Sequence, residues 1–178
     1  MLKIIGIVVA VIVVLVVVLL LVAASKPDTM HVERSTSIKA PPEKIFVLIN
    51  DFHKWGSWSP YEKLDPSMKK TYSGAESGKG AVYEWEGNSK AGKGRMEIAE
   101  ASSPSKVTIK LDFEKPFEGH NVAAFTLDPK GDATNVTWSM DGPSPFPMKV
   151  MGIFLNLDNL IGQEFENGLA NLKTVTEK

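Results

Sequence analysis

Few side chains in this sequence have the types and spacing that enzyme chemistry requires. The three histidines, His31, His53 and His120, lie in separate segments without the spacing of metal ligands, and the chain has no cysteine. Asp51 and His53 are two residues apart where a predicted helix ends, a position at which aspartate commonly bonds loop amides. The sequence has no G-x-S-x-G motif, and the glycines of Gly74–Gly80 and Gly92–Gly94 fall in predicted turns between strands and not in a phosphate-binding loop. We therefore expect no metal, no cofactor and no catalytic residue from these motifs.

Asp158 is the polar residue with the most unusual position. Spacing by sevens links it to Met151, Phe165 and Leu172 on the apolar stripe of a predicted helix. Because burying an unpaired carboxylate is costly, three interpretations remain open. Asp158 is an edge residue that reaches water, a structural partner for a cation such as Arg95, or a polar contact to a ligand.

The predicted strands carry an aromatic and methionine-rich inner face. In Val107-Ile109-Leu111-Phe113, alternate positions are apolar, so one sheet face is buried and the other is wet. By the same alternation, the Asn121 side chain is predicted to point inward, which makes it a candidate to orient a ligand. A β-bulge near Gly119 would turn that side chain to the outer face. The same side chains could instead pack a solid core. The candidate lining residues of a cavity are Trp58, Tyr83, Trp85, Phe113, Asn121, Trp138, Met140, Met151, Phe154 and Asp158.

The elements that position these residues follow the order β-α-α-β6-α. A strand at Met30–Ile38 leads into a helix at Pro42–Asn50, which begins with proline and Glu43 as a first helical turn prefers. A short helical turn and loop follow. One long helix of about 25 residues closes the chain, and its apolar stripe must pack on the sheet. The six further strands are predicted at Lys70–Ser73, Gly80–Glu86, Gly94–Ala101, Lys106–Glu114, Asn121–Leu127 and Asn135–Met140.

The amino-terminal segment predicts a single membrane span. Ile4–Ala24 has no charged or hydrogen-bonding side chain, and as a helix it is about 31 Å long, the thickness of a bilayer core. A cleaved signal peptide is the alternative, but its apolar stretch is usually only about 7 to 15 residues. The numbers of Lys and Arg residues just before and just after the span hardly differ, so they favour neither orientation strongly. We expect a cytoplasmic amino terminus with an extracytoplasmic domain.

The rest of the chain predicts one domain at 27–178, after an anchor at 1–26. Without Lys3 and Lys26, 18 basic and 21 acidic side chains remain, a net charge of −3. Acids and bases alternate along the strands, so there is no basic patch for nucleic acid.

The domain resembles the START-like, Bet v 1-like or SRPBCC superfamily, whose bacterial members are often called polyketide cyclase/dehydrase proteins. The resemblance covers about residues 31 to 176 and rests on IKAPPEKIFVLINDFHKWGSWSP, GAVYEWEGN and GQEFENGLANLK. It implies an α+β helix-grip fold, in which a curved antiparallel sheet surrounds a long C-terminal helix, with an apolar cavity between them for a hydrophobic small molecule.

The leading hypothesis is a membrane-anchored module that binds a lipid or another hydrophobic molecule. One alternative is a cyclase- or dehydratase-like enzyme in which Asp158 or His120 acts as acid or base within the cavity. Another is an adaptor that stabilises a membrane complex; the sequence names no protein partner.

Overall fold

The computed structural model describes residues 2–178 and contains one sheet of seven antiparallel strands. The strands lie in the order β1-β7-β6-β5-β4-β3-β2, so the first strand pairs with the last. The predicted α+β class and strand number are confirmed. The strands are β1 (Thr29–Ile38), β2 (Lys69–Gly74), β3 (Ala81–Glu86), β4 (Lys93–Ser102), β5 (Lys106–Lys115), β6 (Gly119–Lys130) and β7 (Ala133–Pro143). The helices are α1 (Leu2–Ala24), α2 (Pro42–Ile49), α3 (Phe146–Phe154) and α4 (Leu157–Thr176), and two 3-10 turns lie at Phe52–Ser57 and Pro60–Lys63.

Capping residues define the segment between β1 and β2. Helix α2 begins with Pro42, and Glu43 lies in its first turn, as predicted. The Asp51 carboxylate accepts a hydrogen bond from the His53 amide at 3.0 Å and caps the first 3-10 turn. Asp51 is thus a structural cap, because its side chain satisfies a loop N–H that has no partner in the helix.

The sheet keeps the predicted alternation. Val107 and Ile109 are fully buried on the inner face. Strand β6 begins at Gly119 and pairs without interruption with β5, so no bulge reverses Asn121, which lies opposite Leu111. A two-residue turn joins β6 to β7, and its Gly131 has a φ of 67°, which glycine adopts without strain.

The prediction of a single long terminal helix, made from the apolar periodicity, is wrong. The chain leaves the helical conformation at Leu155 (φ −119°, ψ 133°), and a new helix, α4, begins after Asn156. The Asn156 side chain accepts a hydrogen bond from the Asn159 amide at 3.0 Å and so caps α4. Asparagine at this position competes with helix continuation, a local effect that apolar periodicity does not register.

Helix α4 packs on the inner side of the sheet, mainly along β1. Its buried face contains Phe165, Leu169 and Leu172. A Cβ atom at Gly168 would lie 2.7 Å from the Trp138 ring, so only glycine permits this approach. The core therefore lies between α4, α2 and the sheet.

Helix α1 stands apart from this core. Residues 3–24 are long and apolar enough to cross a membrane, and the span is not buried within the protein. The same features are found in signal sequences, so the helix is a membrane anchor or a signal sequence. Only its C-terminal end meets the domain, where Ala23 is buried and α1 contacts α3.

Candidate functional site

A cavity of about 350 Å³ lies between the sheet and the two terminal helices. Its volume falls in the range of pockets that hold small molecules. Its walls are mostly apolar and come from the sheet, the 3-10 turns, and helices α3 and α4. They include Met30, Trp55, Tyr61, Leu64, Met68, Met96, Leu111, Phe117, Ala123, Pro145, Met148, Leu157, Ile161 and Phe165.

Six of the ten residues singled out from the sequence also line this cavity. They come from strands β3, β5, β6 and β7, which confirms their shared inner face. The amide of Asn121 lies directly over Gly142, where a Cβ atom would collide with it. The structure places them on one surface; a role in ligand contact stays a prediction. The six are Tyr83, Trp85, Phe113, Asn121, Trp138 and Met140.

Three predicted lining residues lie elsewhere. Trp58 is fully buried in the core, where its indole donates a hydrogen bond to the Leu48 carbonyl at 3.1 Å. Phe154 is 70% exposed at the end of α3, and Met151 is half-buried on the same helix, away from the cavity wall. The helix break at Asn156 explains the positions of Met151 and Phe154. A seven-residue spacing places side chains on one face only when the helix is continuous.

Asp158 also lies outside the cavity. It is in the first turn of α4, its side chain is 52% exposed, and its carboxylate pairs with the Arg34 guanidinium at 3.0 Å. Arg34 also pairs with Glu166 at 2.8 Å. The hydrogen bond from Arg34 lowers the pKa of Asp158. Asp158 is thus an edge residue with a cation partner, and that partner is Arg34; Arg95 instead pairs with Glu97.

A polar corner made of Glu62 and Tyr83 interrupts the apolar walls. The Tyr83 hydroxyl donates a hydrogen bond to a Glu62 oxygen at 2.7 Å, and the Lys70 ammonium pairs with the other oxygen. The Glu62 side chain is only 7% exposed. Burial, and then the Glu62 carboxylate, raise the pKa of Tyr83, so its phenol stays protonated and donates. Sequence reasoning missed Glu62, because no local pattern places a residue of a 3-10 turn beside β3.

The histidines do not reach the cavity. His120 lies on the outer face of the sheet, 69% exposed, with Nδ1 2.7 Å from the Asp112 carboxylate. The prediction that His120 or Asp158 acts as acid or base within the cavity is therefore wrong in its geometry. Within residues 2–178, no three histidine, cysteine, aspartate or glutamate side chains group as metal ligands would.

The cavity opens at the end of the sheet where α1 joins. Thr29, at the start of β1, pairs with Pro143 at the end of β7, and Lys93 pairs with Lys115, so these ends share one side. Several exposed residues of the cavity wall lie at this side: Lys90 in the β3–β4 connection, Phe117 and Glu118 in the β5–β6 connection, and Pro143 at the end of β7. The mouth therefore faces the same side as the anchor-like helix.

The family follows from a match over most of the domain. A family model described as polyketide cyclase / dehydrase and lipid transport matches residues 29–177. The chain belongs to this family. The match begins at the first residue of β1 and ends just after α4, so the polyketide cyclase/dehydrase and lipid transport domain is the sheet with its helices, without α1. No curated protein matches the sequence.

Solved structures share the fold at low sequence identity. A protein from Chromobacterium violaceum is 16% identical with a TM-score of 0.59, and the match covers 86% of this chain and 99% of that one. The Aha1 dimer from Colwellia psychrerythraea is 14% identical with a TM-score of 0.59, over 83% and 96% of the two chains. A Thermobifida fusca protein is 19% identical with a TM-score of 0.61, over 80% and 90%. These similarities establish the helix-grip fold of the family.

Proposed function

We propose that this protein is a membrane-anchored binding module that holds a lipid or another hydrophobic molecule in the cavity between the sheet and α4. The observation that carries the proposal is a cavity of about 350 Å³ with a largely apolar wall, which opens on the side where α1 leaves the domain. Water gains few hydrogen bonds against such a wall, so an apolar guest is favoured. The family description, which includes lipid transport, points the same way.

The anchor is part of the proposal. We assign residues 1–26 to an uncleaved membrane anchor and residues 27–178 to the binding domain, on the extracytoplasmic side. A guest of low solubility would then travel a short distance between bilayer and cavity. The intact mass of the chain isolated from membranes tests this assignment, because a cleaved signal would leave a chain that lacks the apolar segment.

The binding claim is tested with a photoactivatable phospholipid in vesicles that contain the full chain. After illumination, crosslinks should map to peptides of the cavity wall, such as those that carry Met96 and Met140. Crosslinks confined to α1 would contradict the proposal.

Two neighbouring alanines provide a matched pair of variants for this test. Ala123 lines the cavity, whereas Ala124 lies on the opposite face of the same strand. Ala123→Phe should fill the cavity and remove the crosslinks to its wall, while Ala124→Phe should keep them. Equal thermal unfolding of the two variants shows that the difference arises from the cavity and not from loss of the fold.

A second candidate function is acid–base catalysis on the bound molecule, which the polar corner favours. Glu62 and the protonated Tyr83 are the one hydrogen-bonded carboxyl and phenol pair on the cavity wall of the described chain. Tyr83→Phe keeps the ring and removes the proton donor. If membranes that contain wild-type protein and the Tyr83→Phe variant have the same lipid composition by mass spectrometry, the catalytic candidate fails.

A further inference from the structure

Five exposed apolar side chains lie on the side of the domain where α1 emerges. Scattered apolar residues are ordinary on protein surfaces, but a group of them at one end of a domain marks an interaction site. This group, termed the collar, lies in the β5–β6 connection, in and just after α3, and in the first turn of α4. The collar consists of Phe117, Phe146, Phe154, Leu155 and Leu160, which are 45–70% exposed.

Helix α3 connects the collar to the end of α1. The Lys26 ammonium donates a hydrogen bond to the Gly152 carbonyl of α3 at 2.6 Å, two residues after α1 ends. The Lys149 ammonium, buried on α3, pairs with Asp28 at 2.5 Å. These two contacts hold α3 against the short link between α1 and β1, so α3 cannot lie far from the membrane surface if α1 spans the bilayer.

The same helix also borders the mouth of the cavity. Met148 of α3 and Leu157 of α4 line the cavity, whereas Phe154 and Leu155, between them in the chain, point away from the core and are exposed. One side of the α3 segment thus faces the cavity. The other side faces solvent, next to the end of α1 that joins the domain.

We propose that the collar is inserted in the interfacial region of the bilayer that α1 spans, so that the cavity exchanges its guest directly with the adjoining leaflet past α3. The proposal rests on the proposed anchoring and names the bilayer as the occupant of the collar. Aromatic and leucine side chains are the apolar residues that such interfaces favour.

The absence of native cysteine permits a direct test by single-site labelling. Phe154→Cys and Phe117→Cys would each carry a nitrobenzoxadiazole label in the full chain, reconstituted in phosphatidylcholine and phosphatidylglycerol vesicles with nitroxide-labelled lipid. Val47→Cys is the matched control, because Val47 is an exposed apolar residue of α2, which lies at the opposite end of the domain, where Lys44 donates a hydrogen bond to the carbonyl of Thr176, the last residue of α4.

The collar labels should be quenched by the nitroxide lipid at least threefold more strongly than the Val47 label. Equal quenching at all three sites would overturn the proposal. A blue-shifted collar label without quenching would also overturn it, because the collar would then be covered by protein, either a second copy or another partner.

A kinetic measurement separates this inference from the proposed function. Phe154→Glu combined with Leu155→Glu should slow the loading of the photoactivatable phospholipid about tenfold while the final amount loaded stays near that of wild type. Unchanged loading kinetics would overturn the exchange route. If wild type loads no lipid, the proposed function fails, whereas the quenching result still decides whether the collar contacts the bilayer.

Discussion

Truncation of Phe165 tests how α4 is held against the sheet. Phe165 is 2% exposed and stacks on Trp138, with ring centroids 4.2 Å apart and planes 5° from parallel. It also forms part of the cavity wall, so it belongs to both the core and the site. We predict that Phe165→Ala destabilises the domain strongly.

The magnitude follows from the burial of the ring. A buried Phe→Ala change usually costs about 3–5 kcal/mol, from lost transfer free energy and from the void that remains. Here the void joins an existing cavity, and Leu169 and Leu172 keep the rest of α4 in place, so little collapse can offset the loss. For a domain of this size, about 4 kcal/mol corresponds to a fall in melting temperature of roughly 8–16 °C.

The assay is thermal unfolding of the full chain in nanodiscs, followed by tryptophan fluorescence. All four tryptophans lie between residues 55 and 138, so the signal reports on the domain and not on α1. Val47→Ala is the control, because Val47 is a 49% exposed residue of α2 outside the collar, and its change should stay within about 0.5 kcal/mol. A melting temperature for Phe165→Ala equal to that of Val47→Ala would refute the packing described here.

Two further predictions concern pH and helix packing. Hydrogen bonds to aspartates raise the pKa of His31 and His120 above 6.5, so their contribution to stability is complete below that pH and is lost as pH rises through the raised values. The melting temperature should fall over that range, and His31→Gln with His120→Gln should flatten the profile; a wild-type profile that rises would contradict the sign. Gly168→Ala places a methyl group against a rigid indole and should lower stability by about 1–2 kcal/mol in chemical denaturation. Gly162→Ala displaces the Arg34 guanidinium and weakens its ion pairs with Asp158 and Glu166, whose carboxylates are exposed, so the gain in helix propensity of up to about 1 kcal/mol should offset most of that cost. An equal loss of stability at both glycines would contradict the packing.

The strands could be predicted because their signal is local. Alternation in residues 107–113 and turn residues at 128–132 each specify structure within a few positions. The structure confirms the alternation and the connection, but β6 continues to Lys130, so the turn itself contains only residues 131 and 132. The inward position of Asn121 could be predicted from the same alternation, and it is correct because β6 has no bulge near Gly119.

The terminal helix shows where periodicity fails. The apolar stripe from Met151 to Leu172 is typical of one helix, yet Asn156 caps a new helix. The face on which residues before Asn156 lie can therefore not be inferred from the spacing of residues after it. Phe154 therefore became a surface residue. The capping signal was present in the sequence, but a single asparagine is weak evidence against a long stripe.

Long-range partners could not be predicted from one sequence. Arg34 reaches Asp158 across 124 positions, and Glu62 reaches Tyr83 across 21. Such pairs depend on how α4 and the 3-10 turns lie on the sheet, which no local pattern encodes. The cavity volume has the same origin, because the same apolar residues suit a filled or a hollow interior.

Native mass spectrometry of the full chain, released from its own membranes in nanodiscs, tests the central claim most directly. The account predicts that the wild type and Ala124→Phe carry one hydrophobic molecule per chain and that Ala123→Phe carries none. A wild-type chain without a bound molecule, or equal occupancy in both variants, would contradict it.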